Sequence, residues 1–271
     1  AVTGVQTCAL PIWRFSYRDS GAGQPVVLLH GIGSSSASWI PLFDALPGFR
    51  LIGWDAPGYG ESDALPAARP RASDYGDALS VFLAALGLEA VPIVGHSLGA
   101  LMAGAFAVAQ PARTTRLVLL DPAGGYASAS AEAREKVRTG RLEMLANLGP
   151  ARMAVERGAQ LLSSRPDALA LAWVQYSMSR VHPAGYAQAV HMLADSDLAA
   201  DAARCRGPVL DACGSEDRVT PEAGCRAIAA AFPAHAGARY HTVPGAGHAS
   251  YVEAPRAVAD LLDGFLRAPA P

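Results

Sequence analysis

The sequence predicts an α/β fold, a mostly parallel central sheet with helices on both faces and a helical cap inserted into it. Three observations carry that expectation. From residue 13 onward, short and nearly continuous apolar runs alternate with longer helical stretches, the pattern of strands buried on both faces. Glycine-rich turns follow two of those runs directly, at His30-Gly31-Ile32-Gly33 and at Gly95-His96-Ser97-Leu98-Gly99. One connection, from Asp121 to Pro208, far exceeds the roughly 30 residues of a βαβ unit, which marks an insertion.

In chain order, "WRFSYRD" alternates and reads as an exposed strand at the sheet edge. "VVLLH" (26–30), "LIGWD" (51–55), "VPIVG" (91–95), "RLVLLD" (116–121) and "PVLDAC" (208–213) read as buried strands, with "ARYHTVP" (238–244) as a further one. Helical patterns fall near 73–87, 98–110, 222–232 and 255–267. The core domain is accordingly expected over 13–126 and 201–271. Between them, 127–200 is rich in alanine and arginine with helical periodicity, as in "AEAREKVRTGRLEML". Inserted after a strand's carboxyl end, where parallel sheets bind ligands, it would form a lid over the site. Residues 1–12, "AVTGVQTCALPI", lack an initiator Met and the basic and apolar regions of a secretory signal. They resemble translated adapter sequence and are set aside as non-native or disordered.

Composition narrows the function classes. With 51% apolar residues in a chain of 271, a sizeable buried core is available. A net charge of −2 gives no basic surface for nucleic acid or an anionic membrane. No apolar run reaches the roughly 20 residues that span a bilayer. Cys8, Cys205, Cys213 and Cys225 show no CxxC or metal-ligand spacing, which points to free thiols in a reducing cytoplasm. Abundant alanine, with Lys136 as the single lysine among many arginines, reads as a GC-rich bacterial genome. No metal or organic cofactor is implied, and the sequence does not address oligomeric state.

The chemistry is expected at "GHSLG". A G-x-S-x-G string that follows a strand and opens a helix places a serine on a tight turn, clear of its own backbone. The Leu98 amide then sits at a helix N-terminus, able to donate to a developing oxyanion. A hydroxyl needs a base, and the base an orienting acid. His248 lies in "VPGAGHASYVEAP" after the last strand, and Asp217 in "CGSEDRVTP" after "PVLDAC". Alone, Asp217 reads equally as a helix-capping aspartate and His248 as a loop residue without a role. The chain order Ser97, Asp217, His248 is that of a Ser-His-Asp triad on an α/β sheet. A second oxyanion donor is expected from the amide of Ile32, or of Gly33, after the first buried strand.

With these motifs in place, residues 13–267 resemble a lidded α/β-hydrolase. "HGIG", "DAPGYGESD" (55–63), "GHSLG", "GSEDRVTP" and "GAGHASYVEAP" occur in the family's order. The resemblance implies Ser97 as nucleophile, His248 as base, Asp217 as acid, and the Ile32 and Leu98 amides as oxyanion donors. Asp121 is a substitute acid, because some relatives place theirs there. Asp211 departs from the pattern, since a lone carboxylate inside a buried strand is costly.

A serine at this position excludes the branches that use an aspartate nucleophile, the dehalogenases and epoxide hydrolases. The expected substrate is a small carboxylic ester or lactone, cleaved through an acyl-enzyme. The cap stretch 181–201 is similar to that of 3-oxoadipate enol-lactonases and related esterases. Candidate pocket residues are Gly33, in the glycine-rich turn, and Trp39, Met144, Trp173, Tyr176 and Met192, these five also readable as helix packing. Arg141 or Arg180 could hold a substrate carboxylate. The competitor is a meta-cleavage C–C bond hydrolase, weakened by Ser34 and Ala249 where such relatives carry a glycine and an aromatic. A dinucleotide-binding reading rests on "VVLLHGIGSSS" with Asp55 at the next strand's end, but Ser36 stands where its third glycine belongs.

Overall fold

The computed structural model describes residues 4–9 and 13–269. Its strands are β1 (Gln6–Ala9), β2 (Arg14–Ser20), β3 (Gln24–Leu29), β4 (Phe49–Trp54), β5 (Val91–His96), β6 (Thr114–Leu120), β7 (Val209–Gly214) and β8 (Arg239–Val243). They form one sheet in the order β1-β2-β4-β3-β5-β6-β7-β8. β1 pairs antiparallel with β2, and β2 antiparallel with β4; every later pairing is parallel. β2 is therefore not the edge strand expected from its alternation. Gln6–Ala9, set aside in the sequence reading, pairs outside it.

The helices are α1 (Ile40–Ala45), α2 (Ala72–Ala85), α3 (Leu98–Ala109), α4 (Ala131–Arg157), α5 (Ala168–Met178), α6 (Pro183–Asp195), α7 (Leu198–Ala202), α8 (Glu222–Ala231), α9 (Ser250–Glu253) and α10 (Pro255–Leu266). Alternation along each buried strand feeds two apolar layers. Val27 and Leu29 join Phe82 of α2 and Leu101 and Phe106 of α3 on one face. Val26 and Leu28 join Leu42 of α1 and Val258 and Leu262 of α10 on the other. Helices cover both faces, which is why these strands read as unbroken apolar runs.

The long excursion between β6 and β7 holds α4 to α7. The expected boundary at 200/201 falls inside α7, which packs on α3 and α8. Among the described residues, no helix is long and apolar enough to cross a membrane. Because β3, β5, β6, β7 and β8 run parallel as neighbours, the loops after them open at one edge of the sheet. Ser97, Asp217, His248 and Ile32 lie on those loops, and Leu98 opens the helix that follows one of them.

Candidate active site

Ser97 joins β5 to α3 with φ +51° and ψ −113°, a conformation that side-chain-bearing residues rarely adopt. Crowding of the surrounding backbone explains its flanking glycines. A Cβ on Gly95 would lie 2.5 Å from the Gly99 carbonyl oxygen, and one on Gly99 would lie 2.1 Å from that of Leu29. The turn is pinned by the Ser97 N–H, which donates to the Leu120 carbonyl at 3.0 Å. Ser97 Oγ thereby faces a cavity of about 340 Å³ between the sheet edge and α4, α5 and α6.

Ser97 Oγ lies 2.9 Å from His248 Nε2, and His248 Nδ1 lies 2.9 Å from Asp217 Oδ2. A carboxylate only accepts, so Nδ1 carries the proton and Nε2 is left to accept the serine hydroxyl. Asp217 is locked in turn: its Oδ1 accepts from the Val219 and Thr220 amides at 2.7 and 2.9 Å. The Thr220 hydroxyl donates to Oδ2 at 2.6 Å and lies 3.0 Å from His248 Nδ1. Burial alone would raise the Asp217 pKa, but the His248 and Thr220 hydrogen bonds outweigh it and hold the carboxyl below its ordinary value.

Ile32 and Leu98 line the cavity beside Ser97. Neither backbone N–H has a hydrogen-bond partner among the described residues. Leu98 opens α3, where the first amides of a helix are unpaired. Ile32 owes its orientation to His30, whose Nδ1–H donates at 2.8 Å to the Gly31 carbonyl, the other end of the same peptide unit. His30 Nε2 accepts from the Ala56 amide at 3.1 Å; both bonds need a neutral ring, and burial lowers the His30 pKa. Tyr59 fixes the next carbonyl, donating to Ile32 at 2.9 Å.

The base is also held from behind. His96 Nε2–H donates to the His248 carbonyl at 2.8 Å, and burial lowers the His96 pKa to about 3. Glu253 accepts from the Gly247 amide at 2.8 Å and from the Ser163 amide at 3.0 Å, so it ties the histidine loop to the helical excursion between β6 and β7. The partners His30, His96, Thr220 and Glu253 carry no motif of their own. All four stood inside stretches already quoted, His30 in "HGIG", His96 in "GHSLG", Thr220 in "GSEDRVTP" and Glu253 in "GAGHASYVEAP", but none was assigned a role there.

Several expectations are corrected. Asp121 does not meet His248: it accepts from the Gly214 amide at 2.7 Å and the Ser250 hydroxyl at 2.5 Å. Its carboxyl is pushed well above the ordinary value by burial and by the Asp217 charge. Among the pocket candidates, Gly33 and Met144 line the cavity, whereas Trp39, Trp173, Tyr176 and Met192 do not. Trp39 is stacked on Tyr251 with ring centroids 4.0 Å apart, and Met192 is buried in the α2–α3 layer. Trp173 packs against the opposite layer. Tyr176 is exposed beneath the Arg180 guanidinium, which stands 5.2 Å over its ring; that stacking also takes Arg180 away from the cavity. Arg141 does line it. Asp55, the acid of the dinucleotide reading, is buried on Ser16 Oγ and the Ser36 amide at 2.7 Å each, with no face open to a ribose.

A serine, an imidazole and a carboxylate in series, set at the carboxyl ends of a parallel sheet under a helical insertion, define the α/β-hydrolase class. The chain belongs to the α/β hydrolase fold family, whose model matches residues 24–255. It is 40% identical over 123 residues to a 2-hydroxy-6-oxononadienedioate/2-hydroxy-6-oxononatrienedioate hydrolase of Pseudomonas putida, a match covering 42% of each chain; the chain thus spans about two fifths of that relative's length. It is 30% identical over 185 residues to an (E)-2-((N-methylformamido)methylene)succinate hydrolase of Acinetobacter baylyi, covering 67% of each. Among solved structures, a thermophilic esterase from Thermogutta terrifontis superposes with a TM-score of 0.85 at 27% identity, covering 98% of both chains.

Proposed function

We propose that this hydrolase cleaves a carbon–carbon bond next to a ketone in a small, carboxylate-bearing ring-fission product, using Ser97 as nucleophile. The observation that carries the hydrolytic part is the unbroken series Ser97–His248–Asp217 beside two unpartnered amides. The choice of bond is supported by relatives named for 2-hydroxy-6-oxo dienoates, from Pseudomonas putida and, at 33% identity over 42% of its length, from Burkholderia cepacia. These relatives reverse the order of the two readings drawn from the sequence, where ester or lactone cleavage stood first.

As Ser97 Oγ attacks the ketone carbon, its proton passes to His248 Nε2, and the imidazolium is stabilised by Asp217. The carbonyl oxygen, now an oxyanion, is received by the Ile32 and Leu98 N–H groups. In the 2-oxo tautomer of a 2-hydroxy dienoate, collapse breaks the bond to the neighbouring carbon, which leaves as a dienolate and takes the proton from His248. An acyl-Ser97 ester remains. Water attacks it, giving its proton to His248, and the released carboxylic acid leaves Ser97 with its hydroxyl restored. An ester or lactone follows the same course with an alkoxide leaving group, so the machinery serves both. The missing aromatic at Ala249 is offset by Tyr251, which lines the cavity two residues later. The free thiols of Cys205, Cys213 and Cys225 support a reducing, cytoplasmic setting.

The second reading, ester or lactone hydrolysis, is favoured by the Thermogutta terrifontis esterase, which matches over nearly the whole chain. Parallel assays with a 2-hydroxy-6-oxo-6-phenylhexa-2,4-dienoate and with short-chain p-nitrophenyl esters decide between them. Faster turnover of the dienoate by at least tenfold in kcat/KM is expected; turnover of the esters alone overturns the carbon–carbon reading.

A further inference from the structure

α4 carries the arginines Arg134, Arg138, Arg141, Arg152 and Arg157. Arg134 and Arg138 pair with Asp195, and Arg152 pairs with Glu156. Arg141 and Arg157 have no ion pair or hydrogen bond among the described residues, and these two line the cavity that holds Ser97 and His248. Among the described residues, no aspartate or glutamate lines that cavity.

A kink lies between the two, which on a straight helix would stand sixteen positions and about 24 Å apart. Gly149 breaks α4 with φ +65° and ψ +168°, and Pro150 follows it. Proline lacks the N–H that would continue the ladder, and the left-handed φ favours glycine. The helix therefore folds into two arms, one bearing Arg141 and Met144 and the other Met153 and Arg157, and all four residues reach the cavity wall. Arg141 is half-buried in the cavity wall, and Arg157 is exposed at its rim.

We infer that the two arms of α4 form an anion clamp, in which Arg141, with Arg157 at the rim, binds a carboxylate of the substrate while the scissile carbonyl meets Ser97. A guanidinium in a wall of Ile32, Met144, Met153, Met178 and Leu193 is poorly hydrated and gains a charge-assisted, bidentate partner from a carboxylate. The clamp specifies a substrate with an apolar middle and an anionic end. It rests on the proposed hydrolase reading, yet its ligand can be probed without turnover.

Two measurements test it. Glutarate, a dicarboxylate without a scissile bond, is titrated calorimetrically into the wild-type protein and into Arg141→Gln and Arg157→Gln. Millimolar or tighter binding is expected, weakened at least tenfold by Arg141→Gln and less by Arg157→Gln. Absence of binding to the wild type, or equal binding by Arg141→Gln, overturns the clamp. In parallel, kcat/KM for the p-nitrophenyl monoester of glutarate is compared with that for neutral p-nitrophenyl valerate. The wild-type ratio is expected above ten, and Arg141→Gln is expected to lower it at least tenfold, mainly through KM, with Arg141→Lys between the two. An unchanged ratio contradicts the clamp while leaving the hydrolase reading intact. Glutarate binding without hydrolysis of any ester or dienoate has the opposite meaning: the clamp stands and the hydrolase reading falls.

Discussion

His30 Nδ1 donates to the carbonyl of Gly31 at 2.8 Å, and so aims the far end of that peptide, the Ile32 N–H, into the cavity. The oxyanion site is thus set by a buried imidazole that never touches the substrate. Loss of one oxyanion donor in a serine hydrolase costs about 10²–10³ in kcat, and a misaimed donor costs less. His30→Leu is expected to lower kcat about tenfold or more with little change in KM, read from steady-state kinetics at constant ellipticity. A change confined to KM would assign His30 a substrate-binding role instead.

Asp217 carries a pH signature with a definite sign. Its folded pKa is depressed below the ordinary 3.8, so its stabilising contribution is complete above that value and is lost as pH falls through the lower folded one. Asp217→Asn is expected to flatten the acid-side fall in Tm below about pH 4. It also removes the partner that fixes the His248 tautomer, a change that costs roughly 10⁴ in kcat in the comparable triad. Thermal melts between pH 3 and 7, paired with kcat at pH 7.5, check both halves.

The elbow is expected to reject the smallest side chain. Gly99→Ala places a methyl 2.1 Å from the Leu29 carbonyl, and neither backbone segment can yield without moving Ser97. Gly99→Ala is expected to lower Tm by several degrees and abolish turnover; wild-type Tm and activity would contradict this packing account.

Asp211 behaves oppositely to Asp217. It is fully buried in β7, and neither carboxylate oxygen has a partner among the described residues. Desolvation raises its pKa from 3.8 to about 8. Between those values the unfolded chain has lost a proton that the native state keeps, so stability falls as pH rises from about 4 to about 8. The destabilisation is complete above that range and on the order of a few kcal/mol. Asp211→Leu is expected to raise Tm at pH 8 by more than at pH 5. Parallel Tm–pH curves for the two proteins would contradict this.

The parts legible in the sequence were those that local pattern determines. Buried strands such as Val26–Leu29 show as unbroken apolar runs because both faces are covered, and the Gly95–Gly99 turn shows because only glycine fits between backbones. Asp211 also stood out, as a charge inside such a run. The pocket wall was less legible. Trp39 and Met192 are apolar residues on helices, and which way they point depends on the rotation of each helix against its neighbours. The same limit hid Thr220, whose role depends on how the Asp217 loop folds back on His248. It also hid the Gly149–Pro150 kink, whose effect is seen only when both arms of α4 are placed over one cavity.

The central claim, that His248 activates Ser97 as the nucleophile, is tested most directly by covalent labelling. Incubation with a fluorophosphonate, followed by peptide mass spectrometry, is expected to give one stoichiometric adduct on Ser97. Labelling should be absent in Ser97→Ala and at least 10³-fold slower in His248→Ala, on the order of the loss seen when a triad base is removed. Stoichiometric labelling at another residue, or undiminished substrate turnover by Ser97→Ala, would contradict the account.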